Sequence, residues 1–418
     1  MRLIVSHPTG NTFVRALVSY AAKQELISAF YTTINWSTDN PINNLLPNKY
    51  LQELNRRSYG LDQSMIRLRP FREFLRLFSG RFNIPCLKAF VEDWASLDSV
   101  YKDLDSYVAT RLSLESPSHV HCYEDGALET FKTAKELGTF CSYELPIAYW
   151  RKMHKLLKQE AIKRPEWSKT LLISEDSPEK LQRKDLELDL ADLVIVPSEF
   201  VRDSLPQNIL NTKRIVVSPF GSPDCVSTAY VNKPFPSPVR FLFVGSMGQR
   251  KGLADVLDAF SRAKRSDIEL IILGSPMCPM DFYRNQYSNF IYEKPRAHTE
   301  VLKLMKSCHV LILPSIVEGR ALVQQEAMSQ QMALLVTPNA GGEDLIIEDV
   351  TGRLVSPSCP DMLLDAIYKF ADNPKRTYEM GIEALEYSRN YTWEKYSSKI
   401  TKAIGDGCIG NKQKNASK

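Results

Sequence analysis

The sequence predicts an α/β protein of two doubly wound, Rossmann-like parallel-sheet domains. Three observations point there. The 418 residues suffice for two or three domains at about 150 residues each. The C-terminal half alternates short apolar strands with amphipathic helices, the pattern of a parallel sheet covered on both faces. Residues 219–238, from Pro219-Phe220-Gly221-Ser222-Pro223 to Pro234-Phe235-Pro236-Ser237-Pro238, are rich in Pro and Ser and divide the chain near its middle.

The elements follow in chain order. A strand at residues 2–6 opens an N-terminal domain at 1–218, and Ala191-Asp192-Leu193-Val194-Ile195-Val196 supplies another strand near its end. Between them, residues 50–115 carry amphipathic helix patterns with few strand signals and read as a helical insertion. After the linker, a second domain at 239–390 opens on the strand Val239–Val244, followed by a glycine loop and a helix from Leu253 to Arg265. Strands at Glu269–Leu273, Val310–Leu313 and Ala333–Val336 continue it. Residues 405–418 are polar and rich in Gly, Asn and Lys, and are expected to be disordered.

Composition excludes several classes. A net charge of +4 from 53 basic and 49 acidic side chains does not suggest a nucleic-acid partner. The eight scattered cysteines form no CxxC or Cys/His spacing, so neither a disulfide framework nor a zinc site is expected. They read as thiols in a reducing compartment. Met1–Val5 is too short an apolar run for a signal peptide, and no stretch reaches the roughly 18 apolar residues of a spanning helix. A cytoplasmic protein is expected, with room for contact at the inner face of a membrane.

The strongest chemical constellation is Pro314–Met328, in which a strand runs through Glu318-Gly319-Arg320-Ala321 into a helix. Such a turn lies outside the carboxyl end of a parallel strand, where α/β ligand sites form. The amides of Arg320, Ala321 and Leu322 are expected to be free helix-start donors for a phosphate or sugar oxygen. Taken singly, Glu318 reads as a carboxylate answering the helix dipole and Glu326 as a solvated helix-face residue. Paired across a glycine turn between apolar elements, they point to a site. Val244–Gly252 places Gly245, Gly248, Arg250, Lys251 and Gly252 after a strand, so that amides and two cations could meet a diphosphate. It lacks the ending of a P-loop and the spacing of a nicotinamide fingerprint. His7-Pro8-Thr9-Gly10 forms a comparable turn after the first strand, with an ordinary strand-to-helix turn equally in keeping.

Other features read as structural. Asp103-Leu104-Asp105 has the form of a metal-binding DxD, but lies within a helical pattern. Phe71, Phe74, Leu75 and Phe78 share one helical face, with Arg72 and Arg76 on the other. Trp150–Lys163 carries Arg151, Lys152, Lys155, Lys158 and Lys163 among Met153, Leu156 and Leu157. Both stretches read first as core-packed helices with a cationic outer face, and second as docking faces for an anionic membrane.

Taken together, these residues resemble retaining glycosyltransferase family 4, of the bacterial polysaccharide and glycan type, with the GT-B fold. The resemblance rests on Ala191–Val201, Ser218–Gly221, Gly245–Gly252, the loop Asn289–His298, the Glu-x7-Glu signature of Glu318 and Glu326, and Thr337–Gly342. Residues 35–117 match little. The resemblance implies that Arg250 and Lys251 neutralise a donor diphosphate and that Glu318 holds donor sugar hydroxyls. It implies that Glu326 meets the ribose, Arg296 the base through its backbone, and Gly10 and Gly245 the diphosphate. Gly319, Arg320, Ala321 and Leu322 would line the sugar and phosphate. It also implies a helix at 391–404 that crosses back to the first domain, retention of anomeric configuration, and no metal or bound cofactor beyond the nucleotide diphosphate sugar itself.

Three positions depart from the pattern. Arg320-Ala321 stands where the family has Phe-Gly, with Arg320 either reaching the phosphate or acceptor or narrowing the sugar pocket. Ser246 stands where an arginine is common, with Arg250 available to substitute. Tyr123 stands where the first domain often has a functional histidine, with Glu124 and Asp125 beside it on the acceptor side.

The reading is therefore a metal-independent hexosyltransferase from a nucleotide diphosphate sugar to a glycan or lipid-linked acceptor. The alternative is a non-catalytic nucleotide-sugar-binding protein, a regulator or assembly subunit, which has no need of the complete set Glu318, Glu326, Arg250 and Lys251. A glycosidase built on the carboxylate pair needs a separation of about 5–9.5 Å and leaves the cationic loop unexplained.

Overall fold

The computed structural model describes residues 2–37, 40–78, 94–173, 176–223, 235 and 237–416, without the side chains of residues 42, 48, 49, 52, 78 and 408–416. Parts of the expected insertion (79–93) and linker (224–234 and 236) lie outside the described residues.

Two parallel sheets organise the chain. The first has strands β1 (Leu3–Ser6), β2 (Ile27–Thr32), β3 (Ile66–Leu68), β4 (His119–Tyr123), β5 (Phe140–Glu144), β6 (Leu193–Val196) and β7 (Arg214–Val217), in the order β3-β2-β1-β4-β5-β6-β7. The second has β8 (Val239–Val244), β9 (Ile268–Leu273), β10 (Ile291–Glu293), β11 (Val310–Leu313), β12 (Ala333–Val336) and β13 (Gly352–Leu354), in the order β10-β9-β8-β11-β12-β13. Strands β1, β4, β6, β11 and β12 are buried at every residue, and all of them but β4 read as apolar runs for that reason. Both orders reverse direction beside the first strand of their sheet, between β1 and β4 and between β8 and β11. Doubly wound sheets bind ligands at such switch points, outside the carboxyl ends of the strands.

The first-half helices are α1 (Thr12–Lys23), α2 (Asn48–Asn55), α3 (Phe71–Phe78), α4 (Leu97–Glu115), α5 (Leu128–Glu136), α6 (Trp150–Lys163), α7 (Pro178–Leu190), α8 (Glu199–Ser204) and α9 (Gln207–Thr212). The second half has α10 (Leu253–Ala263), α11 (Met280–Gln286), α12 (His298–Met305), α13 (Leu322–Ser329), α14 (Pro360–Asp372), α15 (Pro374–Ser388) and α16 (Trp393–Ala416). Local chemistry sets several starts: Ser177 and Asn373 each cap a helix that has Pro at its first position. The residues 405–416 expected to be disordered instead continue α16.

Helix α16 returns to the first domain. It packs on α1, Tyr396 Oη donates to Glu144 Oε1 at 2.7 Å, and Ser218 Oγ donates to the Tyr396 carbonyl at 3.1 Å. A side chain at Gly221 would meet the Trp393 backbone nitrogen at 2.4 Å, so the turn after β7 is closed tightly by the returning helix.

Two expectations on the insertion change. Residues 66–68 pair with β2 as an edge strand of the first sheet. Helix α3 buries Glu73, which accepts from Arg57 at 2.6 Å and Arg76 at 2.7 Å, whereas Phe71 is 71% exposed. A carboxylate flanked by two arginines can be buried because its charge is answered; periodicity of apolar residues cannot report that.

Candidate functional site

The loop after β8 and the turn after β11 meet at the switch point of the second sheet. Gly245 leaves β8 at φ +138°, a conformation that side chains rarely adopt, and an added Cβ would lie 2.7 Å from the Lys251 stem. The missing side chain lets the lysine fold back across the loop. Gly252 enters α10 at φ +78°. The Arg250 carbonyl accepts from the amide of Ile316 at 2.9 Å, which joins the two segments through their backbones.

Glu318 sits where they converge. Its Oε1 lies 2.6 Å from Lys251 Nζ and 3.2 Å from Arg250 Nη1. Burial alone pushes this carboxyl up, but the two cations outweigh it and hold it below the usual range. The turn is supported from behind. The Glu318 amide donates to the Asn339 carbonyl at 3.0 Å, Asn339 Nδ2 to the Ile316 carbonyl at 2.8 Å, and Gly341, at φ +71°, lets the Gly319 carbonyl approach.

The first domain reaches the same turn. Ser198 Oγ, after β6, donates to the Gly319 carbonyl at 2.7 Å, and a Cβ on Gly319 would lie 1.8 Å from the Pro146 carbonyl after β5. Ile316 and Val317 pack with Ala148, Leu157 and Leu171, while Leu322 packs against the cluster that holds Phe13 and Phe220. The carboxyl ends of the two sheets thus face each other here.

Other expected site residues lie differently. Arg320 is 4% exposed. Its guanidinium donates to Asp344 Oδ1 at 2.6 Å, the Gly341 carbonyl at 3.1 Å and Gln325 Oε1 at 3.0 Å, and stands over the Tyr391 ring at 5.1 Å. These partners all lie in the second half of the chain, and Arg320 Nη2 is buried without a hydrogen-bond partner. The Ala321 amide, expected to be a free helix-start donor, donates to the Ala340 carbonyl at 3.1 Å. Glu326, on α13, pairs with His298 of α12 at 3.0 Å, and that carboxylate raises the His298 pKa. Arg296 lies exposed on the loop after β10, paired to Glu293. The His298 partnership escaped the sequence because it joins two elements 28 residues apart.

In the first domain, Gly10 is pressed against the segment after α2: a Cβ would lie 2.2 Å from the Arg56 carbonyl. The turn therefore has a packing reason to be glycine. Tyr123 is 2% exposed and packs edge-on to His7 at 4.8 Å and His121 at 4.9 Å. Burial, then the nearby Glu144 carboxylate, pushes its phenol well above the ordinary value. It forms a wall, and its ring does not reach solvent. Burial also brings His7 down to about 4, leaving a neutral ring at neutral pH. Glu124 and Asp125 both pair with Lys184, at 3.0 and 3.3 Å, and Asp125 lies 3.7 Å from Lys180.

Asp103 pairs with Arg69 at 3.0 Å and with Arg72 at 3.5 Å, and Asp105 accepts from the amides of Glu129 and Thr130, so both serve the packing of α4. Among the described residues no group of three His, Cys, Asp or Glu is placed to hold a metal ion, and no helix is long and apolar enough to cross a membrane.

Comparison with known proteins places this geometry. Residues 231–387 match the family model of "Glycosyl transferases group 1". The matched region lies in the second half of the chain and holds strands β8 to β13. A D-inositol 3-phosphate glycosyltransferase of Corynebacterium glutamicum is 25% identical over 258 residues, covering 55% of this chain and 62% of its own length. The chain thus spans less than two thirds of the curated relatives it matches. Sucrose-phosphate synthase from Thermosynechococcus elongatus superposes with a TM-score of 0.63 at 15% identity, over 97% of this chain and 98% of that one. Anabaena HepE in complex with UDP superposes with a TM-score of 0.61 at 15% identity, over 97% and 100%. The fold is GT-B. Both sheets and the returning helix α16 belong to that architecture.

Proposed function

We propose that the protein is a retaining glycosyltransferase of family 4 that moves a hexose from a nucleotide diphosphate sugar to a glycan or lipid-linked acceptor. The observation that carries this reading is the convergence of Arg250, Lys251 and Glu318 at the switch point of the second sheet, facing the first sheet. A diphosphate leaving group gains one further negative charge as its bond to the sugar breaks, and two cations already held at the site answer that charge. The relative HepE was solved with UDP, which supports a nucleotide diphosphate as the donor moiety.

In this reading Arg250 and Lys251 take the diphosphate, with the amides of Arg320 and Leu322 and the glycines of the loop beside them. Glu318 exchanges its ion pair for hydrogen bonds to sugar hydroxyls, and Glu326 leaves His298 for the ribose. The anomeric carbon–oxygen bond breaks, the acceptor oxygen attacks on the face the phosphate leaves, and its proton passes to a phosphate oxygen. Positioning and electrostatics supply the catalysis, with no protein nucleophile and no metal in the step. On the acceptor side, Asp125 and Glu124 at the end of β4 offer carboxylates to hydroxyls, steered by Lys180 and Lys184.

Peripheral contact with an anionic membrane at the cytoplasmic face belongs to the same reading. Helix α6 exposes Arg151, Lys152, Lys155, Lys158 and Lys163, with Ile162 83% exposed among them. Salt-sensitive flotation with anionic liposomes is the expected result, and no flotation at low salt removes this part.

The decisive test incubates the purified protein with a panel of nucleotide sugars and measures released nucleotide diphosphate, with product configuration read by NMR. If the wild type and the Glu318→Ala, Lys251→Ala double variant release the same background, the enzyme reading is lost. Nucleotide binding without release would favour the non-catalytic alternative.

A further inference from the structure

The loop that carries Arg250 and Lys251 is held by a segment from the other half of the chain. Residues 164–171, which follow α6, lie on the second domain. Arg164 donates to Asp255 Oδ1 through Nε at 3.0 Å and Nη2 at 2.6 Å. Trp167 is fully buried within the second domain's core, edge-on to Phe282 at 4.8 Å and Tyr283 at 5.7 Å. A buried indole of this size is an anchor, because withdrawing it would leave a large void.

Two tethers run from this strap to the loop. The first is direct: the Gln249 amide donates to Thr170 Oγ1 at 3.0 Å. The Gln249 side chain, itself fully buried, donates to Glu160 Oε1 at 2.7 Å and accepts from the Ala254 amide at 2.7 Å. The second passes through Tyr283, whose hydroxyl donates to the Met247 carbonyl at 2.8 Å. Gly248 lies between the tethers, and a Cβ there would meet the Thr170 carbonyl at 2.8 Å. Glu160 is also hydrogen-bonded by Ser358. At its other end α6 is tied to the first domain, where Trp150 Nε1 donates to Asp185 Oδ1 at 2.7 Å.

We propose that Thr170 and Gln249 are positioning residues for the diphosphate-binding loop, fixing the approach of Arg250 and Lys251 from the strap 164–171. This rests on reading residues 245–252 as that loop. A loop with glycines at 245, 248 and 252 has wide conformational freedom of its own. Tethers at Met247 and Gln249, immediately before the two cations, remove that freedom before a ligand arrives, which is what preorganised electrostatic stabilisation requires.

The test uses the full chain without ligand and the variants Thr170→Val, Thr170→Ser and Gln249→Met. Hydrogen exchange is followed at the amides of Met247, Lys251 and Gly252, whose own acceptors (the carbonyls of Ser275, Gly248 and Gln249) no substitution touches. Exchange there is expected to quicken about five- to tenfold in the Val and Met variants, the factor for one net hydrogen bond. The Ser variant keeps the hydroxyl and should match the wild type, and β9 amides should not change. With a donor in hand, kcat should fall about tenfold in the Val variant and return in the Ser variant. Unchanged exchange in both Val and Met variants overturns the proposal, as does a Ser variant that behaves like Val. Should Thr170→Val not fold, Gln249→Met decides. A wild type that releases nucleotide from no donor defeats the transferase reading alone, because the exchange measurement does not depend on it.

Discussion

Lys251 Nζ lies 2.6 Å from Glu318 Oε1, so a cation expected to face a diphosphate and a carboxylate expected to face a sugar neutralise each other without ligand. With Arg250 3.2 Å away, the pair becomes a three-charge cluster at 12–27% side-chain exposure. A negative ligand competes with Glu318 for the cations and frees the carboxylate for another partner.

That competition fixes a pH dependence. Glu318 is held below its ordinary pKa, so it stays ionised down to below pH 4.5 and the acid limb of activity due to it should lie there. Lys251→Ala removes the largest opposing charge and leaves burial to act, which moves the limb upward. A pH–rate profile checks the shift, alongside a fall in kcat of about 10²–10³, the usual cost of one stabilising group. A limb that stays in place shows that Lys251 does not tune Glu318.

Gly245→Ala should damage the same cluster from beneath. The backbone at φ +138° costs an alanine about 1–3 kcal/mol. The new Cβ also displaces the Lys251 stem. Both donor turnover and unfolding free energy should drop, measured by nucleotide release and urea titration.

Arg320→Ala is expected to behave differently. Its loss should cost about 2–3 kcal/mol of stability, less than the 3–5 of a fully buried pair because Asp344 is 34% exposed. Donor KM should stay near the wild-type value. A raised KM at unchanged stability would put Arg320 on the donor side after all.

The His298–Glu326 pair offers a direct readout of donor binding. Glu326 raises the His298 pKa, so the ring stays protonated to higher pH than a free imidazole. Glu326→Gln should return it toward 6.5, and nucleotide binding should do the same if Glu326 turns to the ribose. NMR titration of the His298 ring, with and without nucleotide, separates the outcomes.

Two buried histidines contribute to the acid stability. Burial brings both His7 and His119 from 6.5 to about 4, so the unfolded chain binds their protons first. Their contribution is complete above pH 6.5 and is lost as pH falls toward 4, at about 3 kcal/mol per ring. Denaturant unfolding at pH 7 and pH 4.5 should show the loss, and His7→Asn should flatten it. An unaltered slope in that variant removes His7 from the account.

Four strands of the second sheet were legible because burial leaves an apolar signature, whereas the short, part-exposed β10 and β13 were not. Val239–Val244, Val310–Leu313 and Ala333–Val336 stand where their residues predict. In the first sheet, β4 and β5 were not legible, since His119, His121, Ser142 and Glu144 interrupt the apolar pattern with side chains that pair with each other or with neighbouring groups. Glu318, Arg250 and Lys251 could be nominated because they flank glycines after strands, and the fold brings them together. The direction of Arg320 could not be read, because Asp344 and Tyr391, which claim it, are remote in sequence.

By itself, then, the sequence determined two parallel α/β halves and the loops that carry charge and glycine at strand ends. These are local matters of periodicity and residue type. Only the tertiary structure decided which charges meet, which amides are already used, and that residues 164–171 of the first half support a loop of the second. Those outcomes depend on distances between elements far apart in the chain, and no local pattern encodes them.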